Sequence, residues 1–368
     1  MPGDEEHKRH PDPLQHRKAS RLSYLYHPYE VAFHGASGRG KTTLIQRLLK
    51  HFQGVWDLAY VKHRAHRFDL DHAGKDTHIA REAGSFLIGI ADHDHAALLD
   101  WGNRFRLEGD LRWLEADAVL IEGGKDEDIA HFSFDGEHLA ELCLGRVAAE
   151  GGDFTRDAIA SIAERLQSYW QRLSQQRPVS GLILCGGFSE RMGQDKALLS
   201  YHGRSQIEHT LSLAAGFCSE VFLSVRPGQY VEQDIWPRIE DRFLGWGPLG
   251  GILTAMQTYP ERSWCVLPCD VPSLDATHLK ALLSQRQPLR AATVLTTRGA
   301  IEPLIAVYEP KFYRLALAAL GRGVVSPKTM LEELLIQRVE FSWDHGPFNL
   351  NTPAERRAWL QQRQPWSN

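Results

Sequence analysis

Apolar and polar positions along the chain repeat in a strand-then-helix rhythm. Glu30 to Gly35 is a short apolar run with the look of a buried strand, and Lys41 to Phe52 places Leu44, Ile45, Leu48 and Leu49 on one helical face. A glycine-rich loop joins the two. Ala116 to Glu122 reads as a second buried strand, and Asp157 to Leu173 as an amphipathic helix. The polar stretch Ser174-Gln-Gln-Arg-Pro178 then breaks the pattern, because proline cannot continue a helix and its polar neighbours offer no core contact. A new strand starts at Val179 and runs to Cys185. Beyond it, strands at Glu220 to Val225, Ser263 to Leu267 and Ala291 to Thr296 alternate with helices near 205–216, 249–258, 275–286 and 327–337. Such alternation predicts an α/β fold with a mainly parallel sheet covered on both faces.

The 368 residues are about twice a usual domain of roughly 100–200, so two cores are expected. The predicted layout is a disordered tail over 1–27, a first domain over 28–173, a linker over 174–178 and a second domain over 179–368. The tail mixes charge, histidine and proline without apolar periodicity, and buries too little surface to offset the entropy of ordering. A net charge of −4 favours no nucleic-acid partner. No apolar run nears the roughly 20 residues that cross a bilayer, and a secretory signal is not evident, so a cytoplasmic protein away from membranes is expected. Five cysteines without C-x-x-C spacing suggest neither a disulfide framework nor a structural zinc site.

Chemistry enters first at Gly35-Ala-Ser-Gly-Arg-Gly40-Lys41-Thr42, which satisfies G-x-x-x-x-G-K-[ST] between a strand and a helix. The glycines let backbone N–H groups converge on phosphate oxygens, the helix N-terminus adds its positive end, Lys41 adds charge and Thr42 offers a magnesium ligand. Gly35, Ser37, Gly38, Gly40, Lys41, Thr42 and Thr43 are therefore the candidate nucleotide-binding residues. Glu122 ends the second strand, where such proteins hold an acid near the metal. No N-K-x-D guanine-reading motif is present in this half. Lys62-His63-Arg-Ala-His66-Arg-Phe-Asp69-Leu-Asp71-His72-Ala-Gly74-Lys75-Asp76-Thr77, together with Ile121-Glu122-Gly123-Gly124-Lys125, gives residues 30–170 a specific resemblance to the MobB family. That resemblance implies a P-loop NTPase-like domain that binds GTP and hydrolyses it weakly. Taken as residues alone, His63, His66, His72 and His78 are open to two readings, metal ligation or solvated and phosphate-directed positions.

The second half carries Leu182-Ile-Leu184-Cys185-Gly186-Gly187-Phe-Ser189-Glu-Arg191-Met-Gly-Gln-Asp195-Lys196. Two glycines after a strand permit close approach to a triphosphate, while Ser189, Arg191 and Lys196 supply a hydroxyl and two cations. Phosphoryl-type transfer depends mainly on positioning and charge neutralisation, which this loop provides. Val266-Leu-Pro-Cys-Asp270-Val-Pro272 sets a carboxylate at the end of a buried strand, where ligands of open α/β sheets gather, and makes Asp270 the candidate magnesium ligand. Further matches are Asp241 ahead of Gly247-Pro-Leu-Gly-Gly251, then Glu302-Pro303-Leu304 and Asn349-Leu-Asn351-Thr-Pro353.

With these motifs in order, residues 179–363 resemble MobA, and the chain is similar to a MobB–MobA fusion. The resemblance implies a Rossmann-like nucleotidyltransferase that moves GMP from GTP to the phosphate of Mo-molybdopterin with Mg2+. Carried over, Leu184, Gly186, Gly187, Ser189, Lys196 and Asp241 bind GTP, Arg191, Lys196 and Asp270 serve catalysis, and Asn349 and Asn351 face the acceptor. Implied partners are apo-molybdoenzymes and other molybdenum cofactor proteins, with a homodimer formed through the P-loop domain. Cys185 stands where alanine is commoner, and Glu302 varies a position without an assigned role. Three rivals stay open: a cytidylyltransferase on the same acceptor, a P-loop half that acts only as an adaptor, and a small-molecule kinase.

Overall fold

The computed structural model describes residues 24–63, 76–100, 107–125, 127–135, 142–147, 153–186, 198–201, 203–229 and 236–342. The chain divides into two compact units, Met1–Ala163 and Glu164–Asn368. In the first unit the elements are β1 (Glu30–His34), α1 (Lys41–Phe52), β2 (Leu58–Lys62), α2 (Asp76–Glu82), β3 (Leu87–Ala91), β4 (Ala96–Asp100), a 3-10 turn at Leu111–Glu115, β5 (Ala118–Glu122), β6 (His131–Ser133) and β7 (Cys143–Arg146). The helix α3 (Arg156–Gln175) follows, and the division between units falls within it, ahead of the linker expected at 174–178.

Five strands form a wholly parallel sheet in the order β2-β5-β1-β6-β7. Central β1 and β5 are buried along their whole length, as a strand covered on both faces must be. Leu44, Ile45, Leu48 and Phe52 form the buried stripe of α1. Packing begins upstream of Pro28, since Tyr26 and His27 are buried and the Glu30 carboxylate accepts the backbone N–H groups of Leu25, Tyr26 and His27. That carboxylate is what ties down residues whose sequence shows no apolar period. Among the described residues, strands β3 and β4 pair only with each other, antiparallel, and leave Leu87, Ile90 and Leu98 exposed.

The second unit contains β8 (Val179–Leu184), α4 (Gln206–Ala215), β9 (Val221–Val225), β10 (Arg238–Glu240), α5 (Pro248–Thr258), β11 (Ser263–Pro268), α6 (Ala276–Ser284), β12 (Ala292–Thr297), β13 (Ala300–Tyr308), α7 (Lys311–Gly321), α8 (Pro327–Glu333) and β14 (Gln337–Glu340). Its seven strands run β10-β9-β8-β11-β13-β12-β14, parallel except for β13. Ile183, Leu223, Val225, Cys265, Leu267 and Ile305 join the core cluster of this unit. Helix α4 starts with a reciprocal cap between Ser205 and Glu208, and α6 with one between Asp275 and His278. The expected strands and helices are present here, except that the helix expected near 327–337 ends at Glu333, where Leu334 turns extended, and Gln337 already opens β14; β13, α7 and the short edge strand β10 are added to them.

Candidate functional site

In the first unit, strand register assembles the phosphate loop. Phe33 pairs with Glu122 across β1 and β5, and Lys62 pairs with Glu122 across β2 and β5, so the acid stands beside the start of the loop. Gly40 caps α1 in the left-handed region at φ 88°, where a side chain is strained, and no side chain caps the helix. With no acid in the first turn either, the N–H groups of α1 stay available for an anion. Lys41 Nζ folds over the loop and donates to the carbonyls of Gly35 at 2.7 Å and Ala36 at 2.6 Å. Ser37 and Gly38 are exposed on the loop, and Thr43 follows Thr42 in the first helical turn.

Thr42 Oγ1 and Tyr60 Oη both donate to Glu122 Oε2, at 2.8 Å and 2.7 Å, while Lys62 Nζ lies 3.6 Å from Oε1. Burial alone pushes the Glu122 carboxyl up. The bonds from Tyr60 and Thr42 and the charges of Lys62 and Lys41 outweigh it, leaving the carboxyl below its ordinary range. The Tyr60 phenol is pushed up to about 12, first by burial and then by Glu122. An ionised carboxylate touching the loop threonine suits a divalent cation held together with phosphates. Asp135, beyond β6, accepts the Ala36 N–H at 2.7 Å and lies 3.7 Å from Arg39. Tyr60 and Asp135 escape sequence reading because β2 is partly exposed and β6 is three residues long, so neither strand announces itself.

The histidines divide. His63 Nδ1 bonds the Tyr26 hydroxyl at 2.6 Å and Nε2 lies 3.6 Å from Glu127, while His78 pairs with Arg81 and Glu82. These are packing and surface contacts, and among the described residues no cluster of three metal-ligating side chains occurs. His66, His72 and Lys75 lie outside the described residues.

In the second unit, β10, β9, β8 and β11 are parallel neighbours, so their carboxyl ends meet along one edge. Leu184, Gly186, Asp241 and Asp270 line one cavity of about 820 Å³ at that edge, together with Ser224, Arg226 and Leu304. The pairing of Leu184 with Pro268 puts Gly186 and Asp270 just beyond two adjacent strand ends. Asp241 Oδ1 accepts the Ser224 hydroxyl at 2.8 Å, and a Cβ on Gly186 would stand 3.2 Å from Asp241 Oδ2. Burial raises the Asp241 carboxyl above its ordinary range, and the Ser224 bond offsets only part of that. Two carboxylates, Asp241 and Asp270, lining one cavity are a donor set that fits magnesium together with substrate phosphates.

Another wall is the start of α5. Gly247 and Pro248 line the cavity, Pro248 occupies the first turn, and neither a side-chain cap nor an acid covers the N-terminus. Gly251 is required there: a Cβ would lie 2.2 Å from Ser224 Oγ and 3.2 Å from Asp241 Oδ1. Arg226 brings positive charge to the cavity, and its backbone N–H donates to Gln229 Oε1 while Gln229 Nε2 donates to the Cys185 carbonyl. Its signal in the sequence is only its place after an apolar strand. Gly187, Ser189, Arg191, Lys196, Asn349 and Asn351 lie outside the described residues.

Comparison with known proteins agrees with both halves. Residues 181–339 match the family model of the MobA-like NTP transferase domain, and residues 31–136 match that of molybdopterin guanine dinucleotide synthesis protein B. The probable molybdenum cofactor guanylyltransferase of Carboxydothermus hydrogenoformans is 37% identical over 186 residues, covering 49% of this chain and 93% of that protein. The molybdenum cofactor biosynthesis bifunctional protein of a Synechocystis strain is 34% identical over 184 residues, 49% of this chain and 53% of that protein. The matched segment thus spans about half of that bifunctional relative. Among solved structures, molybdopterin-guanine dinucleotide biosynthesis protein A from Archaeoglobus fulgidus aligns at 21% identity and a TM-score of 0.41, over 50% of this chain and 97% of that one.

Proposed function

Because the chain belongs to the molybdenum cofactor guanylyltransferase family, we propose that it transfers GMP from GTP to the terminal phosphate of Mo-molybdopterin and releases pyrophosphate. One observation supports this above the others: Gly186, Asp241 and Asp270 line a single cavity at the carboxyl ends of parallel strands, walled by a bare helix N-terminus. An oxygen of the acceptor phosphate forms a bond to the α-phosphorus as the bond to the bridging β-phosphate oxygen breaks. Pyrophosphate leaves with that electron pair, and no protein nucleophile is used. The backbone at Gly186 admits the triphosphate, and Arg226, Arg191 and Lys196 counter the negative charge of the leaving group. Asp270 and Asp241 would hold Mg2+, which would supply neutralisation of the phosphate charge.

The first unit is read as a GTP-binding adaptor, with Thr42 and Glu122 as its magnesium side, that serves delivery to apo-molybdoenzymes rather than the transfer itself. A homodimer through this unit is supported by the β3–β4 hairpin, since an isolated two-stranded sheet with exposed Leu87, Ile90 and Leu98 is marginal by itself. The described cysteines are free thiols, consistent with a reducing cytoplasm.

Incubation with magnesium, molybdopterin loaded with molybdate, and α-labelled GTP or CTP tests the reading. Label from GTP on the pterin, with equimolar pyrophosphate, is expected. Label from CTP instead would reassign the base, and no label from either would discard the transferase.

A further inference from the structure

The acid left without a role by the motifs, Glu302, lies in an irregular segment of β13. Val294 pairs with Ala306 and Thr296 with Ile301, so β12 advances two residues while β13 advances five. The stretch Glu302 to Ile305, four residues facing the single Leu295, is a bulge, a device that re-aims side chains beside active sites. Its sequence fits: Pro303 has no N–H to lose from the ladder. The bulge is pinned, because the buried Tyr308 donates its hydroxyl to the Pro303 carbonyl at 2.7 Å. Leu304, in the same bulge, lines the cavity described above.

Sheet order then divides that cavity between two substrates. Gly186 and Asp241 follow β8 and β10, Asp270 follows β11, and β13 stands on the far side of β11. The first group takes the nucleotide in the transferase reading, so the flank beyond Asp270 is left for the acceptor. Glu302, two residues from Leu304 in the same bulge, is half-buried and its side chain makes no hydrogen bond to any described residue, with Lys328 of α8 as its charged neighbour. Burial holds its carboxyl above the ordinary range, and Lys328 lowers it only in part. A half-buried carboxylate that no described side chain engages keeps its acceptor oxygens open to the donors of a ligand.

We propose that Glu302, presented by the bulge of β13, reads the acceptor by accepting paired hydrogen bonds from a 2-amino-4-oxopyrimidine edge, the ring N–H and the adjacent amino group. A carboxylate matches this donor pair in the bidentate way it matches a guanidinium. Guanine and a pterin share that edge. Position favours the pterin, because β13 lies across Asp270 from the nucleotide side. The assignment rests on the transferase reading and concerns only which group recognises the acceptor ring.

The test uses the full chain and two simple competitors. Pterin carries the donor pair, whereas lumazine has a carbonyl in place of the amino group. With the unmodified protein, pterin is expected to compete with molybdopterin at least about tenfold better than lumazine. Equal inhibition by the two overturns the proposal without any variant being needed. In Glu302→Gln, the molybdopterin KM is expected to rise about tenfold, the pterin preference to vanish and the GTP KM to stay within about twofold. A variant that keeps the preference overturns the proposal, as does one in which the GTP KM rises and that of molybdopterin does not, since Glu302 would then read guanine. Absence of GMP transfer by the unmodified protein would instead reject the transferase reading itself.

Discussion

Thr42 Oγ1 donates to Glu122 Oε2 at 2.8 Å, joining the helix after the glycine loop to the end of β5, a sequence separation of 80 residues. The contact couples the loop threonine to the acid that ends β5 beside the start of the loop. Glu122→Gln keeps the shape and removes the charge, and Lys41→Ala removes the loop cation. Each is expected to cut magnesium-dependent GTP hydrolysis by the first unit roughly 10- to 100-fold. GMP transfer to free molybdopterin should stay within about twofold, as an adaptor requires. A parallel fall in transfer would make the P-loop part of the chemistry.

The same carboxylate predicts a pH dependence. Its folded pKa lies below the unfolded glutamate value of about 4.3, so its stabilisation is complete above that value and is lost as pH falls through the folded one. Urea midpoints of the unmodified protein and of Glu122→Gln should differ most near about pH 6 and converge toward about pH 3. A gap independent of pH would mean that the ionised form gains nothing from Tyr60, Thr42 and the lysines.

Gly251→Ala sets two effects against each other. Alanine is the better helix former by about 0.8–1 kcal/mol, yet its Cβ would meet Ser224 Oγ at 2.2 Å, and overpacking costs about 1–3 kcal/mol. The clash should win, because Ser224 is already committed to Asp241. Expected are a lower denaturation midpoint and a raised GTP KM. Gly321→Ala at the end of α7 meets nothing within 4 Å, so it should leave the GTP KM unchanged and hold or slightly raise the midpoint. Normal GTP binding in Gly251→Ala would show that Asp241 is not confined by this helix.

At the opposite end of the sheet, Arg286 donates to both carboxylate oxygens of the buried Glu309, at 2.7 Å and 3.0 Å, and to Ser263 Oγ at 2.8 Å. Arg286→Met leaves that carboxylate without its cation and should cost about 3–5 kcal/mol. Adding Glu309→Leu should recover much of the loss, because no buried charge then remains. Chemical denaturation of both variants checks this, and a double variant no more stable than the single one would locate the cost in packing. KM values should not move, since Ser263 and Glu309 sit at the amino end of β11 and the carboxyl end of antiparallel β13, away from the cavity.

Leu304 shows why part of the site was illegible. Its tripeptide stands out in the sequence, but the five-for-two pairing of the segment that carries it to the cavity belongs to β12 and β13 together. Arg226 and Ser224 likewise acquire meaning only when β9 is set beside β8 and β10.

What the sequence determined by itself was local. Glycines between a strand and a helix, a lysine and threonine at the helix start, and carboxylates at the ends of apolar runs encode phosphate chemistry within a few residues, because backbone conformation and helix termini are short-range properties. The apolar periods likewise located the central strands and most helices, since burial on both faces leaves a plain hydrophobic run. Tertiary structure decided which distant residues meet. Strand register sets Lys62 and Tyr60 beside Glu122, the position of α1 brings Thr42 to the same carboxylate, and sheet order brings Asp241, just past an edge strand of three residues, to the cavity that Gly186 and Asp270 line. Partly exposed edge strands carry a weak period, and strand pairing is a contact between segments far apart in the chain, so neither is written in any single stretch of it.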